Sequence, residues 1–240
     1  MMKALLVPVL LGLLVLTARP AAAIVHQRTF AVPQIPAVGT IRYGISVPDD
    51  YKPGPPRPLV LTLHPGGERP RYYGATYLIG FFMPALKNLG AIIVAPDCPT
   101  PGWTDRDADL AVMALLQDVL KEYAIDRRRI LVTGYSLGGR GTWFMASHHA
   151  DFFTGAISIA GSPQGQALES LGRIPTYVIH SRSDEVVSFG PDQEATQELE
   201  KLGRPVKFEL VEGRGHFDTG SYMAAFGRAV QWVEERWRTR

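Results

Sequence analysis

Ser136, Asp184 and His216 are the side chains of this sequence whose types and spacing could together do nucleophilic chemistry. Ser136 sits in Gly134-Tyr135-Ser136-Leu137-Gly138, directly after the apolar run Arg129-Ile130-Leu131-Val132-Thr133. Gly139 to Ser147 then reads as the start of a helix. A serine on a strand-to-helix turn is held in a strained backbone conformation, and the flanking glycines leave room for the neighbouring strand and helix. Its hydroxyl stands out at a helix N-terminus, where backbone N–H groups can hold an oxyanion. A hydroxyl becomes a useful nucleophile only when a base takes its proton, and that base needs an orienting acid.

His216 is the candidate base. It lies in Gly213-Arg214-Gly215-His216-Phe217-Asp218, a loop whose glycines let it approach a neighbouring turn. Asp184, in His180-Ser181-Arg182-Ser183-Asp184-Glu185, is the candidate acid. Glu185 is its nearest rival, and Asp218 is too close to His216 in sequence to be the first choice. The gaps are 48 residues from Ser136 to Asp184 and 32 from Asp184 to His216. Each holds about one strand-helix unit or slightly more, so all three fall on loops after neighbouring strands, where sites collect in open α/β sheets. The other histidines offer less: His148 and His149 are adjacent at a helix end and face apart, and His180 ends a strand and reads as buried. None of them is paired with Cys or His at metal-ligand spacing.

An oxyanion needs two donors. Leu137, directly after the serine, is one. The turn His64-Pro65-Gly66-Gly67-Glu68 should supply the other, with Gly66 the first choice and Gly67 the second. Pro65 has no N–H and is excluded.

The elements that must position these residues are readable as well. Pro58 to His64 and Ala91 to Ala95 are near-continuous apolar runs, as buried parallel strands should be. Further strands are predicted at Arg28 to Val32, Ile41 to Val47, Gly155 to Ala160, Pro175 to His180 and Val206 to Val211. Helices are predicted at Tyr77 to Leu89 (limited by Pro84), Asp107 to Tyr123, Pro191 to Leu202 and Tyr222 to Arg238. In the second of these, Leu110, Met113, Ala114 and Leu120 recur near helical spacing. Strands alternating with helices imply a parallel sheet covered on both faces.

The chain has 240 residues, 46% hydrophobic, and a formal net charge of +2, which gives no electrostatic case for nucleic acid. Met1-Met2-Lys3, an apolar stretch from Ala4 to Ala18, and Ala21-Ala22-Ala23 have the layout of a secretory signal peptide, with cleavage expected after Ala23. Residues 24–240 would then form a single α/β domain, periplasmic or secreted, without a stable membrane anchor. Loss of Lys3 and Arg19 takes the formal charge from +2 to 0. Cys98 is the only cysteine, so no internal disulfide can form, and it reads as a buried small residue.

From about residue 40 to 236 the chain resembles the α/β-hydrolase superfamily, in particular compact secreted esterases and predicted peptidases. These are similar to the polyhydroxybutyrate-depolymerase and feruloyl-esterase lineage and to prolyl-oligopeptidase-like catalytic domains. The resemblance rests on Leu63 to Glu68, Ala95-Pro96-Asp97-Cys98-Pro99 with Trp103, Ile125-Asp126-Arg127, Gly134 to Gly139 with Gly141-Thr142-Trp143, His180 to Val187, and Gly215-His216. The order serine, aspartate, histidine is the one this fold uses. Two departures are Pro65 in place of the usual glycine, and Arg140, which would lie near the pocket rim.

The resemblance implies an α/β-hydrolase fold: a mostly parallel central sheet, helices on both faces, and no large cap, since only Gly161 to Ile174 separates two strands. It also implies hydrolysis of carboxylic esters through an acyl-enzyme on Ser136, with no metal or organic cofactor. An open, shallow site is expected, with Trp103 and Tyr72 or Tyr73 on its rim and Gly67 and Tyr135 beside the substrate; ordinary packing is the other reading of the aromatics. Such a site suits short-acyl or polymer-linked esters. A serine peptidase and a non-catalytic binding protein on the same fold are the competing readings.

Overall fold

The computed structural model describes residues 24–213 and 215–239; the expected signal peptide lies outside them. Eight strands form one sheet, in the order β1 (Val25–Val32), β2 (Gly39–Ser46), β4 (Ile92–Pro96), β3 (Arg57–Leu63), β5 (Ile125–Tyr135), β6 (Gly155–Ile159), β7 (Thr176–Ser181) and β8 (Val206–Val211). The two pairings that involve β2 are antiparallel, and every pairing from β4 to β8 is parallel. In the central strands both faces are buried, which explains their unbroken apolar runs. Leu59, Leu61 and Leu63 point to one core, and Val60, on the alternate side of the same strand, points to the other.

The first core is closed by α3 (Arg106–Glu122) and α4 (Leu137–His148), with α5 (Gly190–Lys201) beside them. Ala111, Val112, Leu115 and Leu116 supply the apolar face of α3, whereas Leu110, expected on that face, is 46% exposed. The second core is closed by α6 (Thr219–Arg238) and by the segment from residue 73 to 86. That segment is helical throughout, in three parts: α1 (Tyr73–Tyr77), a wider π-type turn (Leu78–Phe82) and α2 (Met83–Leu86). The wide turn, where Met83 N–H reaches back to the Leu78 carbonyl, comes directly before Pro84. A proline cannot make the regular bond four residues back, so the helix passes Pro84 by widening first.

Between β6 and β7 the chain carries only a short 3-10 turn, Leu168–Leu171. No helix among the described residues is long and apolar enough to cross a membrane. The carboxyl ends of β3, β5, β7 and β8 lead into the loops that carry the candidate site.

Candidate active site

Ser136 joins β5 to α4 with φ 56° and ψ −115°, a strained conformation for a residue with a side chain. The local sequence enforces it. A Cβ on Gly134 would lie 2.2 Å from the Gly138 carbonyl oxygen, and one on Gly138 would lie 2.0 Å from the Leu63 carbonyl oxygen. Only glycines let α4 start this close to β5 and β3. Ser136 N–H donates to the Ile159 carbonyl at 2.8 Å, which ties the turn to β6.

The loops after β7 and β8 bring the other two residues to it. His216 Nε2 lies 2.8 Å from Ser136 Oγ, and His216 Nδ1 lies 2.7 Å from Asp184 Oδ2. The expected Ser136, His216 and Asp184 are therefore in one hydrogen-bonded line. Asp184 Oδ1 accepts the N–H groups of Val186 and Val187 at 2.9 and 2.7 Å. Burial pushes the Asp184 carboxyl up, but the His216 hydrogen bond and the Val187 and Val186 donors outweigh it and hold the group below the ordinary carboxylate range. It stays ionised and fixes the imidazole with Nδ1 protonated, leaving Nε2 to accept from the serine.

Three further groups hold this line, in roles that the sequence did not assign. Glu185, the rival acid, instead accepts the backbone N–H of His216 at 2.9 Å and so pins the histidine loop. Tyr135 donates its hydroxyl to the His216 carbonyl. Beneath Asp184, the fully buried His180 places Nε2 at 2.9 Å from the Val187 carbonyl and 3.3 Å from Asp184 Oδ2, and Nδ1 at 2.7 Å from Asp192 Oδ2. Asp192, also fully buried, takes a second hydrogen bond from Trp143 Nε1 at 2.9 Å. Burial opposes a charge on His180, but the Asp192 hydrogen bond and charge, with Val187 and Asp184 beside it, raise its pKa above the ordinary value. No sequence signal pairs residue 180 with residue 192, because the contact spans a loop and enters α5.

Leu137 is the first residue of α4, so its N–H has no acceptor within its own helix. Gly66 lies against it: a Cβ there would sit 3.6 Å from Leu137 Cδ2. Both residues line a cavity of about 450 Å³ together with Ser136 and His216. Gly67, Tyr73, Tyr77 and Tyr135 line it too, as do Pro65, Val186 and Phe217. Phe217 is 77% exposed and meets the His216 ring edge-on at 5.3 Å.

The expectations for Trp103 and Arg140 need correction, and the alternative between Tyr72 and Tyr73 is resolved. Trp103 is not on the rim: it is 2% exposed, and its indole N–H donates to the His64 carbonyl at 3.0 Å. An indole buries well when its N–H finds an acceptor, and this one does. Tyr73, and not Tyr72, lines the cavity; Tyr72 takes a left-handed conformation and gives its N–H to Asp97 Oδ2 at 2.8 Å. Arg140 is half-buried and does not line the cavity. Cys98 is half-buried, and burial raises its thiol pKa to about 11, against a nucleophilic role. No cluster of three His, Cys, Asp or Glu among the described residues could hold a metal.

The parallel sheet, the serine turn and the loops after β7 and β8 together define an α/β-hydrolase. More narrowly, the chain belongs to the dienelactone hydrolase family, whose profile matches residues 102–225, more than half of its length. It is 25% identical over 207 residues to feruloyl esterase D of Neurospora crassa, covering 80% of this chain and 71% of that one. It is 27% identical over 123 residues to feruloyl esterase C of Emericella nidulans, covering 50% of this chain and 46% of that relative. Among solved structures it is similar to a thermostable esterase, with a TM-score of 0.74 and 28% identity over 88% of this chain and 62% of the other. The chain thus spans only about half to two-thirds of the length of some relatives.

Proposed function

We propose that this protein is an exported serine hydrolase that cleaves carboxylic esters through an acyl-enzyme. The observation that carries the reading is the line from Ser136 Oγ through His216 to Asp184, opening on a cavity lined by two candidate oxyanion donors. Ser136 Oγ attacks the ester carbonyl carbon while His216 Nε2 takes its proton. The carbonyl oxygen becomes an oxyanion held by the Leu137 and Gly66 N–H groups. Collapse breaks the bond to the alcohol oxygen, which leaves with the proton from His216. Water then repeats the cycle on the acyl-enzyme, releases the acid and restores Ser136.

The aromatic walls of the cavity, Tyr73, Tyr77 and Tyr135, support an apolar acyl group no larger than an aryl chain. The feruloyl esterase relatives support the same choice. The exposed Phe217 and Val186 at the mouth support a large or polymeric alcohol part that stays outside. Export rests on the signal-peptide layout of residues 1–23.

The test is initial rates on p-nitrophenyl esters of increasing acyl length, an aryl-acyl ester and a peptide p-nitroanilide, for the mature protein and Ser136→Ala. Ester turnover that disappears in the variant is expected. Amide turnover of comparable size would replace the esterase reading with a peptidase one, and turnover that survives in Ser136→Ala would reject the serine mechanism.

A further inference from the structure

His64 takes no part in the proton transfers described above, yet it is buried directly behind the cavity wall. Its ring makes two hydrogen bonds, and both partners have fixed roles. Nε2 lies 2.9 Å from the backbone nitrogen of Cys98, which can only donate. Nδ1 lies 2.7 Å from the carbonyl oxygen of Pro65, which can only accept. The imidazole is therefore neutral, with its proton on Nδ1. Burial agrees with this by pulling its pKa down to about 4. The ring is also wedged in place: Tyr73 and Trp103 pack on it with centroids at 4.7 and 5.0 Å, and Trp103 Nε1 holds the His64 carbonyl.

The Pro65 carbonyl and the Gly66 N–H belong to one peptide unit. The described residues contain no cis peptide bond, so the two groups point in opposite directions. A carbonyl held inward by His64 turns the Gly66 N–H outward, towards the cavity that Gly66 lines with Ser136 and Leu137. Pro65 strengthens the device, since its ring fixes φ and it brings no N–H that would need a partner. The departure from glycine at this position thus has a physical use.

We infer that His64 is a positioning residue for the oxyanion site: as a neutral Nδ1–H tautomer it sets the plane of the Pro65–Gly66 peptide and aims the Gly66 N–H at the developing oxyanion. This deepens the esterase reading and rests on it for the role of Gly66. An oxyanion donor acts in the transition state, so its misalignment lowers kcat and leaves KM nearly unchanged.

The experiment compares the mature protein with His64→Leu, which removes both hydrogen bonds, and His64→Asn, whose amide N–H can take the place of Nδ1–H. In His64→Leu, kcat for a p-nitrophenyl ester should fall about 100-fold, the usual loss for one oxyanion donor, with KM within about threefold. His64→Asn should recover at least about tenfold of that loss, because the donor to Pro65 is restored. Equal losses in the two variants, a change confined to KM, or a folded His64→Leu with near-normal kcat would overturn the inference.

Nitrogen NMR of the histidines reads the tautomer without any turnover. A neutral ring protonated at Nδ1 at pH 7 is expected; an Nε2–H tautomer or a cation would reject the device. That result stands apart from the loss of activity in Ser136→Ala, which tests the esterase reading itself.

Discussion

Gly138→Ala probes how closely the Ser136 turn and the proposed oxyanion turn after β3 are interlocked. A Cβ at residue 138 would lie 2.0 Å from the Leu63 carbonyl oxygen and 2.6 Å from its carbonyl carbon. Both are backbone atoms at the end of β3, so no side chain can swing aside. An unstrained contact needs about 3.5 Å, so α4 and the end of β3 must part by more than about 1 Å. The Leu137 N–H lies on one side of that gap, and the strand that leads to Gly66 lies on the other. A misplacement of about 1 Å costs about 100-fold in rate. Overpacking of this kind costs about 1–3 kcal/mol or more, which in a domain this large lowers Tm by roughly 2–12 °C.

Gly227→Ala is the control. Gly227 lies within α6, and a Cβ there would meet nothing within 4 Å. Alanine should stabilise that helix by about 0.5–1 kcal/mol and raise Tm by roughly 1–4 °C, with kcat unchanged. Thermal melts followed by circular dichroism and ester kinetics on both variants read the contrast. If Gly138→Ala kept its Tm and its kcat to within about threefold, backbone contact would not set the spacing of the two proposed donors.

Other perturbations have equally definite outcomes. Tyr77 Oη is buried and has no hydrogen-bond partner among the described residues. Tyr77→Phe should therefore stabilise the protein by about 1 kcal/mol in urea unfolding, and a loss of stability would show that the hydroxyl has a partner. His64, lowered to about 4 from 6.5, is neutral in the folded state while the unfolded chain takes up a proton between those values. Its contribution to stability is thus full above pH 6.5 and is lost as pH falls towards 4. The stability difference between the wild type and His64→Asn should shrink by about 3 kcal/mol from pH 7 to pH 4, and a pH-independent difference would contradict the burial argument. Asp192→Ala leaves the buried His180 and Trp143 without their carboxylate partner. It should destabilise by about 3–5 kcal/mol in chemical unfolding, whereas a loss under about 1 kcal/mol would mean that His180 is neutral in the native protein.

The sequence was legible where one strong local rule acts. Buried parallel strands must be apolar on both faces, so β3, β4 and β6 stood out. The serine turn must carry glycines, so its place at the end of β5 was readable. The candidate base and acid followed from topology, because loops after neighbouring strands converge at one end of the sheet. What escaped depends on partners distant in the chain. Trp103 sits near prolines and glycines and reads as a rim residue until the His64 carbonyl supplies an acceptor for its indole. Asp192 reads as an ordinary first-turn acid of α5, and nothing along the chain announces that it meets His180. Glu185 and Asp184 are chemically alike and adjacent. Only the fold shows that one faces the imidazole and the other the backbone of the same histidine. Leu110 departs from its expected place for a simpler reason: α3 buries the stripe around Ala111 and Leu115, and helical periodicity alone does not fix where an apolar stripe ends.

In the proposed mechanism Ser136 carries the acyl group. The most direct measurement is peptide mass spectrometry of the protein quenched during turnover of a slow aryl ester, with Ser136→Ala in parallel. An acyl adduct on the peptide containing Ser136, absent from the variant and formed at least as fast as product appears, is the predicted result. Product formed at the full rate with no adduct on Ser136, or with the acyl group on Cys98, would contradict the account.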